Sequence, residues 1–218
     1  MTRIALIHAL AHSVEPIRAA FERDWPEAIR MNLMDDSLSA DLARSGGLLD
    51  AAMHQRFQNL AQYAIDAGAQ GILFTCSAFG ACIEAVAALH PRVPVLKPNE
   101  AMVTEAMAKP GKLALMATFP ATLQSMPAEF PANAELELIL VEGALDALNR
   151  GDVQTHDDLI AEAAKTLKSK GCTQIALAQF SMARARMASE MASGLPVLTT
   201  PDSALRSLKS RLVSAGIS

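Results

Sequence analysis

Short apolar runs recur along this chain, and most neighbouring runs are separated by enough residues for one helix. Residues 4–8, 71–75, 93–96, 113–117, 175–178 and 197–198 are such runs, and 29–33 and 136–141, interrupted by Arg30, Asn32 and Glu137, read as two further strands, giving four in each half. Runs that are apolar throughout suit strands buried on both faces, as in parallel sheets. Between them lie helix-like stretches at 14–23, 47–67, 77–89, 99–108, 119–129, 142–148, 155–170, 182–192 and 202–213. Strands alternating with helices build right-handed β-α-β units, so the expected fold class is α/β. Ser13 and Thr155 are the expected N-caps of their helices. Gly68 suits a helix C-terminus. Residues 34–41 read as an exposed loop, and the Lys109-Pro110-Gly111 breaker ends a helix.

The two halves also resemble each other. Residues 68–96 run G-A-Q-G-I-L-F-T-C and later V-P-V-L, while 171–198 run G-C-T-Q-I-A-L-A-Q and later L-P-V-L. Aligning the glycines sets Cys76 against Gln179. Two similar parallel-sheet domains are expected, 1–98 with 200–218 and 99–199, with strand ends lining a cleft between them.

Composition narrows the function classes. Half of the 218 residues are apolar, and 19 basic and 23 acidic side chains are well mixed. No basic stripe suits nucleic acid. No run reaches the length of a membrane span. Three scattered cysteines fit a reducing compartment rather than a disulfide framework, so a cytoplasmic protein is expected. No cysteine pair has zinc spacing, so no metal site is expected, and no glycine pattern fits a phosphate loop or dinucleotide fold.

Cys76 ends the apolar run 71–75 and precedes the small-residue stretch Ser77-Ala78-Phe79-Gly80. That places a thiol at the carboxyl end of a central strand, where open α/β sheets bind ligands. A helix N-terminus beside it would favour the thiolate. The competing reading is a small buried hydrophobe. For Cys82, inside a helix, and Cys172, at a turn, that second reading is preferred.

The segments 32–38 (N-L-M-D-D-S-L), 73–77 (L-F-T-C-S), 94–96 (P-V-L), 99–102 (N-E-A-M) and 115–118 (L-M-A-T), in this order, resemble the aspartate/glutamate racemase superfamily, which includes hydantoin racemases, maleate isomerases and arylmalonate decarboxylases. The resemblance runs over most of the chain. It implies two pseudo-symmetric, flavodoxin-like α/β domains, a cleft between them, no cofactor, a small carboxylate substrate and commonly a homodimer. In that family each half supplies one cysteine, and the two thiols exchange protons on opposite faces of one carbon.

Cys76 matches the first of these positions. Gln179 stands at the second, and a shifted register offers Ser181. An amide does not titrate usefully, and a serine hydroxyl needs an activating base. The resemblance therefore implies an isomerase or racemase-type enzyme with Cys76 as base or nucleophile. The alternatives are a silent carboxylate-binding protein or a one-cysteine cis–trans isomerase or decarboxylase branch. Ser77, Thr75 and Thr118 could donate hydroxyls to a substrate carboxylate, with Thr122 one helical turn beyond Thr118. The bland reading of Ser77 and Thr118 is helix capping. His8 and Asn32 end the first two strands. His8 could orient substrate or lower the thiol's pKa, but simple hydrogen-bond satisfaction is preferred. His156-Asp157 reads as capping rather than metal ligation, Arg184 and Arg186 as an exposed face, and Met182, Met187 and Met191 as a core stripe.

Overall fold

The computed structural model describes residues 1–214 and Gly216. They form two compact units, Met1–Pro98 with Ala204–Ser218, and Asn99–Ser203. The first unit contains β1 (Arg3–His8), α1 (Val14–Asp24), β2 (Ile29–Met34), α2 (Ser37–Arg44), α3 (Ala51–Asp66), β3 (Gly71–Phe74), α4 (Gly80–Leu89) and β4 (Val95–Leu96). The second contains α5 (Glu100–Met107), β5 (Lys112–Ala117), α6 (Pro120–Ser125), β6 (Leu136–Leu140), α7 (Ala144–Asn149), α8 (Val153–Ala164), β7 (Cys172–Leu177), α9 (Arg186–Ser193) and β8 (Val197–Thr199). The last helix, α10 (Thr200–Ser214), begins in the second unit and ends in the first.

Each unit holds a four-stranded, wholly parallel sheet with helices around it. The strand orders are β2-β1-β3-β4 and β6-β5-β7-β8. These are the same topology, so the second unit repeats the first strand for strand. The α/β expectation and the internal repeat both hold.

Strand periodicity explains why both sheet faces are apolar. In β5, Ala114 and Met116 join one core with Ile160, Ala164 and Met182, while Leu113, Leu115 and Ala117 join another with Met102 and Met126. In the first unit Ala5, Ile7, Ile72 and Phe74 pack with α3 and α4 residues. Ile4, Leu6 and Leu73 alternate with them and are equally buried. The end of α10 lies close over β3. A Cβ on Gly71 would meet Leu208 Cδ1 at 3.0 Å and Ile4 Cδ1 at 3.3 Å, so a side chain there would require those methyls to shift.

Several local expectations are corrected. Residues 34–41 are not a loop, because α2 begins at Ser37. The helix expected from 47 starts at Ala51, because Gly46 and Gly47 adopt φ of +67° and +89° and break the chain before Asp50, whose side chain caps the Met53 N–H. Thr155 is not a cap. Asp152 is, accepting from the Thr155 N–H at 3.1 Å. Ser13 precedes α1 but makes no capping bond. The methionine stripe is also corrected, since Met182 is buried but Met187 and Met191 are 64% and 83% exposed. A 3-10 segment, Phe180–Ala185, precedes α9 and shifts the helical phase, so α9 turns Ser189 and Ser193 inward instead.

Candidate active site

Both central strands end in the same way. In the first unit the Thr75 N–H donates to the Ile7 carbonyl at 3.0 Å. In the second the Ala178 N–H donates to the Met116 carbonyl at 2.9 Å. The next residues are Cys76 and Gln179, each extended and each entering a 3-10 turn. The ladder thus gives Cys76 and Gln179 equivalent backbone positions, as the glycine alignment anticipated. The same rungs make His8 equivalent to Ala117 and Ala9 equivalent to Thr118.

Cys76 is half-buried and not disulfide-bonded. It lines a tight recess with His8, Leu38, Phe57, Phe74 and Phe79. The floor is aromatic, because Phe57 stacks on Phe74 at 5.2 Å and leans on Phe79 at 4.9 Å. These side chains strip water from the sulfur, and that desolvation raises the thiol pKa. A backbone hydrogen bond from Ala78 opposes it but is the weaker influence. The expectation that a helix N-terminus would favour the thiolate is therefore corrected. The amide is in place, yet apolar burial outweighs it, and the resting sulfur keeps its proton through neutral pH.

Behind the recess lies a closed polar network. His8 is fully buried. Its Nε2 lies 3.1 Å from Asn32 Oδ1, and its Nδ1 lies 2.9 Å from Thr75 Oγ1 and 3.0 Å from Ser13 Oγ. The Ser13 hydroxyl donates to the Leu10 carbonyl at 2.7 Å and lies 2.8 Å from Thr75 Oγ1. With Nε2–H donating to Asn32, Nδ1 is the acceptor. The Thr75 hydroxyl is then its donor, since the Ser13 proton is already engaged. Burial lowers the His8 pKa and the Asn32 bond partly offsets that, so the ring is neutral at pH 7. His8 is thus satisfied by hydrogen bonds, as preferred from the sequence. The Thr75 hydroxyl, expected to meet substrate, is buried and committed to this network. Asn32, expected beside it, does join the network through its side chain. Sequence reading took Ser13 for a cap; nothing in the sequence paired it with His8.

Ser77 is exposed beside Cys76. In the second unit, Gln179 Oε1 accepts from the Thr118 N–H at 2.7 Å and from its hydroxyl at 2.9 Å. Thr118 is buried and Gln179 half-buried. Thr122 and Ser181 are half-buried nearby in the sequence, the first with its N–H on the Phe119 carbonyl. Cys82 and Cys172 are buried in the apolar cores, which agrees with their structural reading. His156 is buried and pairs with Asp157 at 2.8 Å, and Asp157 in turn pairs with Arg184. Arg186 pairs with Glu190 and Asp202. Among the described residues no group of His, Cys, Asp or Glu could hold a metal ion, and no helix is long and apolar enough to cross a membrane.

The Asp/Glu/Hydantoin racemase family profile matches residues 9–208. The chain belongs to that family. It is a racemase-like isomerase by family, and its α/β fold matches solved racemases. Klebsiella pneumoniae allantoin racemase superposes with a TM-score of 0.75 at 18% identity, over 100% of this chain and 90% of that one. Glutamate racemase from Francisella tularensis subsp. tularensis SCHU S4, solved with D-glutamate, gives 0.69 at 17% identity, over 99% and 82%. Picrophilus torridus aspartate racemase gives 0.70 at 12% identity, over 99% and 95%. At such identities the likeness carries the fold alone. A comparison with curated proteins finds no match. In this racemase-like chain Gln179 stands at the equivalent of Cys76, and its amide does not titrate usefully.

Proposed function

We propose that this isomerase moves a proton at the carbon beside a carboxylate or carbonyl of a small substrate, using Cys76 as its single acid–base group. The observation that supports this is the half-buried Cys76 sulfur, one rung beyond the strand ladder, with the Ala78 amide bonded to it and a wall of phenylalanines behind. The thiol starts protonated, so the cycle begins with transfer of its proton to solvent hydroxide, which leaves as water. The thiolate then takes the α-proton, the C–H electron pair becomes an enolate, and the sulfur regains its hydrogen. Ser77 and the exposed turn amides of the first unit would hold carboxylate and developing oxyanion charge, and Thr118, a pair of donors within the second unit, is a further candidate for a carboxylate. Because the Gln179 amide is neither an acid nor a base near neutral pH, the return proton comes either from the Cys76 thiol, on the face it left, or from water.

Proton NMR in D2O tests this with a panel of amino acids, hydantoins, maleate and substituted malonates. Loss of an α-proton signal with one of them, abolished in Cys76→Ala, is the expected result. Isomer formation from maleate would instead point to nucleophilic addition by the same sulfur. An unchanged profile in Cys76→Ala would remove the thiol from the mechanism.

A further inference from the structure

Thr118 presents an unusual pair of donors. β5 ends at Ala117, whose carbonyl still accepts from the Val141 N–H, and the last rung to β7 is the Ala178 bond to Met116. Beyond that rung the Thr118 N–H leaves the ladder and turns, with its own hydroxyl, onto one oxygen. That oxygen is Gln179 Oε1, at 2.7 and 2.9 Å. The amide orientation is fixed by chemistry, since a flipped amide would set NH2 against a backbone N–H. Thr118 is only 6% exposed, so both donors need an acceptor. Gln179 is half-buried and can exchange its partners for water. The equivalent positions of the first unit, Ala9 and Cys76, make no such fork.

We propose that Gln179 is a built-in competitor for the substrate's carboxylate. Its Oε1 occupies, in the resting protein, the place on the Thr118 fork that a carboxylate oxygen takes, and binding exchanges one for the other. This rests on the reading that the substrate carries a carboxylate. The exchange is favourable because an ionised oxygen accepts hydrogen bonds roughly twice as strongly as an amide carbonyl. It lowers apparent affinity, because only the fraction of molecules with Gln179 swung away can bind. The fork thereby rejects weak or neutral acceptors and admits an anion.

The test is an acetate titration of the full chain, followed at the Thr118 backbone amide by NMR. Gln179→Ala opens the fork, and acetate should bind about ten-fold more tightly than to the wild type. Gln179→Glu builds the competing carboxylate in, so acetate should bind at least about ten-fold more weakly. The resting Thr118 amide proton should move downfield in Gln179→Glu and upfield in Gln179→Ala. Simple charge repulsion would weaken acetate binding without the downfield move, and that result would overturn the proposal. Equal acetate affinity in wild type and Gln179→Ala would also overturn it, leaving Cys76 chemistry untouched. Acetate that never perturbs Thr118 in Gln179→Ala would overturn the carboxylate subsite and the competition together, whereas the Cys76→Ala experiment above fails or succeeds on its own.

Discussion

Replacing His8 with alanine removes the centre of the network behind Cys76, and the size of the loss can be built from its contacts. Asn32 is exposed, so losing the 3.1 Å bond to Nε2 returns it to water at little cost. Thr75 loses its bond to Nδ1, while Ser13 keeps the Leu10 carbonyl and stays 2.8 Å from the Thr75 hydroxyl. One buried hydrogen bond to Thr75 is therefore lost outright, worth about 1 kcal/mol. The fully buried ring leaves a cavity between apolar neighbours, and large-to-small changes of this kind add a few kcal/mol. The sum for His8→Ala is about 2–4 kcal/mol near pH 7.5. The pH dependence has a definite sign. Burial lowers the folded-state pKa below the ordinary value of about 6.5, so the unfolded chain binds the extra proton first. The wild type loses stability as pH falls from about 6.5 towards the folded pKa, by at most about 1.4 kcal/mol per pH unit. The alanine variant has no such loss, so its deficit shrinks in acid. Urea unfolding read by Trp25, the only tryptophan, measures this in the first unit, where that ring stacks on Phe21 at 5.7 Å. A deficit below about 1 kcal/mol at pH 7.5, or one that is the same at pH 5 and pH 7.5, refutes the network as described.

Two further outcomes follow from the strand ends. In the native chain iodoacetamide should label Cys76 alone, since Cys82 and Cys172 are 0% and 4% exposed, and its rate should still be climbing above pH 9 because burial raises the thiol pKa; peptide mapping showing a plateau below pH 8 would contradict that. With an active substrate in D2O, a single thiol should exchange the α-proton several-fold faster than it inverts the centre; equal rates in the wild type, by NMR and polarimetry, would contradict single-group chemistry.

The strand series was legible because parallel strands buried on both faces leave runs with no polar interruption, as in β3 and β5. The equivalence of Cys76 and Gln179 was legible because two copies of one topology preserve glycine spacing. Local capping was less so. Asp152 and Thr155 are both good cap residues three positions apart, and only the backbone decides which one accepts. Met187 and Met191 misled because a 3-10 turn changes the period before α9, and no residue announces that change. The protonation state of Cys76 was illegible for a different reason. A helix N-terminus is visible in sequence, but the phenylalanines that oppose it come from 57, 74 and 79, and only folding brings Phe57 to the other two.

The two strand ends show how one backbone can be loaded for different work. At the first, the ladder is followed by Thr75 and Cys76, with His8 underneath at the end of β1. At the second, the same steps carry Ala178 and Gln179, with Ala117 where His8 was and Thr118 where Ala9 was. One end therefore keeps a titratable sulfur in an apolar setting over a hydrogen-bonded imidazole. The other keeps two neutral donors trained on an acceptor and nothing that titrates. A duplicated fold with two equal thiols is suited to proton exchange in either direction. On the two proposals above, a duplicated fold with one thiol and one donor fork would divide the labour, with proton transfer in the first repeat and anion recognition in the second. On that division Gln179→Ala should change anion binding at Thr118, and Cys76→Ala should stop α-proton exchange, each without abolishing the other.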